Sequence, residues 1–107
     1  LGSLDYVRDW SYAGDTSKAI YKITNEGKSN TYVIGSGKGH QIKNIVEIVF
    51  DRFNLDVTKY IDIDESLIRK GDPKSIVSNP LKIQEELNWS SEVSFENLIN
   101  ICIDSRI

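Results

Sequence analysis

The 107 residues include no methionine, one cysteine, one histidine and two prolines, and no apolar run approaches the roughly 20 residues of a membrane-crossing helix. A lone cysteine excludes an internal disulfide and a multi-cysteine zinc site. Cys102 falls on a predicted apolar helix face and is expected in the core. Positive charge is also short: 13 Lys and Arg stand against 16 Asp and Glu, a net charge of −3. A chain without a basic surface is a poor partner for nucleic acid, and nothing in it suggests a membrane. Signal peptides, repeats and low-complexity tracts are not visible, and the composition suits a reducing cytoplasm. The missing methionine and the abrupt opening Leu1-Gly2-Ser3-Leu4 lead us to expect a piece of a longer protein.

What is present is the alternation of short strand formers with amphipathic helices, on a length suited to one domain. Residues 6–10 read as a short strand interrupted by Arg8 and Asp9. Asp15 is placed to cap a helix over 16–24, with Ala19, Ile20 and Ile23 as its apolar face. A polar loop over 25–30 follows. Residues 31–34 read as a strand, and 41–53 as a helix with Ile42, Ile45, Val46, Val49, Phe50 and Phe53 on one stripe. Residues 57–63 read as a strand ending in the acidic group Asp62, Asp64 and Glu65, which we take as a solvated strand end. Residues 75–77 give a third short strand. Asn79 and Pro80 open a helix to Leu87, Asn88 ends it, and Trp89 folds back as a lid. Ser94 caps a final helix carrying Phe95, Leu98, Ile99, Cys102 and Ile103.

Two stretches carry possible chemistry. The turn Gly35-Ser36-Gly37-Lys38-Gly39-His40 imitates a phosphate loop, but Tyr32 stands where the pattern needs its first glycine, and no hydroxyl follows Lys38 at the magnesium position. Its glycines are expected to give a sharp connection beside another segment, and His40 to be a helix-start residue rather than a catalytic base. The stretch Arg69-Lys70-Gly71-Asp72-Pro73 is the least core-like in the middle of the chain. Gly71 permits unusual backbone angles and Pro73 fixes its own φ. An arginine fork suits phosphate and a carboxylate accepts from hydroxyls, which together suit a nucleotide sugar. A solvated turn holding a local ion pair uses the same residues.

Several blocks, in order, resemble the C-terminal part of extended short-chain dehydrogenase/reductase enzymes acting on nucleotide sugars. Leu1-Gly2-Ser3-Leu4-Asp5 with Arg8-Asp9-Trp10 is similar to the Leu-Gly-Asn-Leu-Asp…Arg-Asp-Trp block of GDP-mannose 4,6-dehydratases. Tyr32-Val33-Ile34 with Gly37 and His40 resembles their Tyr-Val-Ile-Ala-Thr-Gly-x-x-His-Ser segment. Residues 69–80 with Leu87-Asn88-Trp89, then Val93-Ser94-Phe95-Glu96, resemble the blocks that follow. Arg69-Lys70-Gly71-Asp72-Pro73 is nearer the Arg-x-Gly-Asp-Pro of nucleotide-sugar 4-epimerases. Asn79, Asn88 and Gln41 replace a usual Asp, Gly and Ser.

The resemblance implies an α/β fold (α+β as a fragment), the substrate-binding lobe of a Rossmann-type enzyme, with about four helices and three to four short strands. Residues 1–107 would form one C-terminal domain, without the N-terminal Rossmann part. It implies that Arg8 and Arg69 contact the substrate diphosphate from two sides and that Asp72 hydrogen-bonds the ribose. The partner would be a GDP-mannose-like nucleotide sugar, and the full-length enzyme a homo-oligomer using NADP or NAD. The family's Gly-x-x-Gly-x-x-Gly turn and Tyr-x-x-x-Lys pair occur nowhere in these residues. No cofactor binding or catalysis is therefore expected of this chain alone. The alternatives are a piece of a 4-epimerase or a non-catalytic binding module of the same descent.

Overall fold

A computed structural model describes residues 1–28 and 31–105. Ser29 and Asn30, part of the loop expected over 25–30, lie outside the described residues. The elements are β1 (Val7–Asp9), α1 (Ala13–Glu26), β2 (Gly39–Gln41), α2 (Ile42–Arg52), α3 (Val57–Tyr60), a 3-10 turn at Glu65–Leu67, β3 (Ser75–Ile76), α4 (Leu81–Leu87) and α5 (Phe95–Asp104). The three strands form one mixed sheet in the order β2-β1-β3. β1 runs antiparallel to β2, with Arg8 opposite His40 and Asp9 opposite Gly39, and parallel to β3, with Arg8 opposite Ile76. The class is α/β, as the sequence led us to expect.

Two helix pairs flank the sheet. Ala19 of α1 and Ile83 and Leu87 of α4 are buried with Trp89, and Ile23, Tyr32 and Ile34 pack against them. The Trp89 indole donates to the Asp15 carbonyl at 3.1 Å, so the expected lid is anchored by its polar edge. α2 packs on α5, each helix burying one residue, Val46 and Ile99, and Arg52 reaches across to Asn100 and Asp104. Asn88 ends α4 in the left-handed region at φ 52°, a conformation that asparagine tolerates better than most residues.

Several expectations are corrected. α1 begins three residues early, at Ala13, after an N-cap at Tyr12 that offers no side-chain bond. Asp15 is not the cap. It sits in the first turn, 3% exposed, and its carboxylate accepts from the Ser91 hydroxyl and the amides of Glu92 and Val93. Residues 31–34 form no ladder; they spend Tyr32 and Ile34 on the helical core, and the strand lies later, at β2. That places His40 on a strand rather than at the helix start. Residues 57–60 are helical. The Asp56 carboxylate accepts from the amide and hydroxyl of Thr58, and this cap outweighs the strand preference of Val57 and Tyr60. Asp64 likewise caps the 3-10 turn by accepting from Ser66. Pro80, expected as the first helical residue, is the N-cap of α4. Cys102, expected in the core, is exposed, while Ile99 is the buried residue of α5.

The molecule is a slab of 50 × 36 × 17 Å with a radius of gyration of 16.5 Å, against about 13 Å for a rounded domain of this length. Its accessible surface of 7683 Å² exceeds the about 6,000 Å² expected of a folded monomer of 12.1 kDa.

Candidate functional site: the β1 cleft

Arg8 lies in the central strand, so its backbone is held on both edges. One end of its guanidinium donates to the Val7 carbonyl at 2.8 Å and the other to Asp72 Oδ1 at 3.0 Å. The group stands 5.5 Å from the centre of the Tyr6 ring. Both partners of the ion pair keep an open side, at 25% and 32% side-chain exposure. Beside them opens a cleft of about 300 Å³ lined by Arg8, Asp9, Ile34, Gly35, Ile76 and Ser78, among others.

The Arg69 to Pro73 stretch approaches from the far end of the chain. The Asp72 amide donates to the Arg69 carbonyl at 3.1 Å, closing a turn whose Gly71 has φ 79°. That positive φ is the reason for glycine at this point. Of the three predicted site residues, the structure brings Arg8 and Asp72 into contact across 64 positions of sequence. Arg69 joins them through the backbone of the turn. Its side chain is exposed and makes no hydrogen bond or ion pair among the described residues.

Sequence reasoning missed Asp9, which is the most heavily bonded side chain of the cleft. Its carboxylate accepts from the Ser36 amide (3.1 Å) and hydroxyl, the Gly37 amide (3.0 Å), and the Ser78 amide (3.1 Å) and hydroxyl. Burial raises its pKa, but the hydroxyls of Ser36 and Ser78 and the amides of Gly37 and Ser36 outweigh it. The net value is below that of an ordinary aspartate. Ser78 lies so close to Gly35 that a Cβ on Gly35 would fall 2.1 Å from its hydroxyl, and Gly37 has φ 76°. The available signal was two serines, one in each loop that abuts β1, facing a strand carboxylate.

The same bonds decide the glycine-rich turn. Amides that would cradle a phosphate are committed to Asp9, and the turn leads into a strand rather than a helix. The turn therefore forms no site for a dinucleotide pyrophosphate. Among the described residues no group of three His, Cys, Asp or Glu is placed to hold a metal ion. His40 stacks on Phe95, with ring centres 4.0 Å apart and planes 4° apart.

Known proteins share this fold. A UDP-glucose 4-epimerase from Thermotoga maritima, solved with UDP-glucose, superposes with a TM-score of 0.81 at 24% identity, covering 97% of this chain and 32% of that one. A dTDP-glucose 4,6-dehydratase from Bacillus anthracis, solved with NAD, gives 0.82 at 22% identity, covering 96% of this chain and 32% of that one. The fold is thus that of about a third of each of these two enzymes. In sequence the chain is 29% identical over all its 107 residues to GDP-mannose 4,6 dehydratase 2 of Arabidopsis thaliana, and spans 29% of that relative's length. The sequence model of the GDP-mannose 4,6 dehydratase family matches residues 1–102, and the chain belongs to that family.

Proposed function

We propose that this chain is the nucleotide-sugar-gripping lobe of an NAD(P)-dependent 4,6-dehydratase acting on a GDP-mannose-like substrate. The observation that carries the reading is the meeting of Arg8 with Asp72 at an open cleft, with Arg69 in the turn that delivers Asp72. Arg8 and Arg69 take the two sides of the diphosphate, since guanidinium forks supply charge and geometry together. Asp72 leaves Arg8 and accepts from the ribose hydroxyls. Binding thus exchanges an internal ion pair for an ion pair with the ligand.

Redox chemistry lies elsewhere. The residues here do not fit a dinucleotide, so NADP or NAD and the catalytic Tyr-x-x-x-Lys pair belong to a Rossmann part outside these 107 residues. The 107 residues then act as one C-terminal domain of a cytoplasmic homo-oligomer. No helix among the described residues is long and apolar enough to cross a membrane.

A second reading, a UDP-sugar 4-epimerase, is favoured by Arg69-Lys70-Gly71-Asp72-Pro73 and differs in reaction and substrate rather than in the gripping residues. Titration with GDP-mannose and with UDP-glucose separates the two. The dehydratase reading predicts tighter binding of GDP-mannose. Arg69→Ala is expected to weaken binding by about 1.5–3 kcal/mol, the range for a charge-assisted contact, or about 10- to 150-fold. Unchanged affinity in that variant rejects the assigned site.

A further inference from the structure

We propose that Asp9 is a positioning residue that fixes which face of the sheet Arg8 presents to the anion. The inference rests on the binding role proposed above for Arg8.

The sheet around Arg8 is slight: β1 and β2 have three residues each, and β3 has two. Ladders this short define register weakly. A slip of one residue would turn Arg8 to the opposite face, because strand side chains alternate. Asp9 supplies what the ladders lack. Its two oxygens collect donors from the segment that leads into β2, through Ser36 and Gly37, and from the segment that leaves β3, through Ser78. One side chain on β1 therefore ties all three strands at a single point, one residue along the strand from Arg8.

The position requires a carboxylate of this length. An ionised carboxylate only accepts, at about four lone-pair positions shared among the five donors, so no donor of its own is set against theirs. An asparagine would aim its own N–H at the Ser36 or Ser78 groups. A longer glutamate would press on the Gly35 backbone, where a Cβ would already stand 2.9 Å from Asp9 Oδ2. Asp9 itself does not need to touch the ligand, since its charge is taken up by donors of the protein.

The test is an NMR titration of the isotope-labelled chain with inorganic pyrophosphate, reading Kd and the Arg8 side-chain Nε–H signal. Four proteins are compared: wild type, Asp9→Asn, Arg8→Ala and Leu87→Ala, the last a core deletion that lowers stability away from the cleft. Asp9→Asn is expected to weaken binding at least about tenfold, the effect of losing one well-placed charged contact, and to broaden or split the Arg8 signal. Leu87→Ala is expected to lower Tm while holding Kd within about twofold of wild type. An Asp9→Asn protein whose Kd matches that of Leu87→Ala overturns the inference and leaves Asp9 a structural residue only. Should Asp9→Asn not fold, Ser36→Ala with Ser78→Ala carries the test: weaker binding supports positioning, and wild-type Kd overturns it. If Arg8→Ala binds pyrophosphate like wild type, or wild type does not bind it, the binding role of Arg8 fails first, whatever Asp9 does.

Discussion

The ion pair between Arg8 and Asp72 sets a competition at the level of single side chains. Asp72 occupies part of the fork that the diphosphate would take, so its charge should oppose a bare anion. Asp72→Asn is expected to tighten inorganic pyrophosphate by about two- to fivefold, the scale of a part-exposed ion pair, while weakening GDP-mannose through the lost ribose contact. Isothermal titration with the two ligands measures both signs. Asp9 makes a second prediction. Its pKa is depressed in the folded chain, so the stability it adds is present above the unfolded value of about 3.9 and is lost as pH falls through the lower folded value. Melting curves at pH 5 and pH 3 should show Asp9→Asn well below wild type at the first pH and closer to it at the second. Of the residues involved, Arg69 and Asp72 stood out in the sequence because a glycine and a proline shaped their loop. Asp9 did not, because its five donors come from loops 27 and 69 positions away, and spacing carries no trace of such distances.

Among the elements, those legible in the sequence were the ones whose own residues sufficed to form them. The apolar stripe of α2 as far as Phe50, the Ser94 cap of α5 and the Asn88 stop of α4 are local features and stand where the pattern put them, whereas Phe53, expected to extend the stripe, is an exposed C-cap. The misplaced strands depended on neighbours. Residues 31–34 have strand-forming side chains but no ladder in this chain, and 57–60 yielded to a capping aspartate two residues from its hydroxyl partner. Asp15 misled for a related reason: it has the chemistry of a cap, but it caps the bend after α4 instead of its own helix. It accepts two amides and a hydroxyl from residues 91–93 while almost fully buried. Asp15→Ala should therefore cost about 1–3 kcal/mol, the penalty for stranding buried donors, and Tm should fall with far-UV helicity kept below the transition.

For the molecule as a whole, the surplus of surface matters most. Ile20, Tyr21, Tyr60 and Leu67 are each more than half exposed, on a slab only 17 Å thick. Apolar exposure on this scale drives association. Sedimentation velocity over a tenfold concentration range is expected to show the chain self-associating, and a single sharp monomer at all concentrations would count against that expectation. The central claim is that two arginines, one in the central strand and one in the turn before β3, hold a single diphosphate. If they do, their contributions to binding are coupled, because each orders the group that the other grips. The most direct measurement is a double-mutant cycle on GDP-mannose affinity with Arg8→Ala, Arg69→Ala and the pair. The account predicts that each single change weakens binding at least about tenfold and that the double variant departs from their sum by at least about 0.5 kcal/mol. Either single variant at wild-type affinity, or strict additivity of the two, would contradict it.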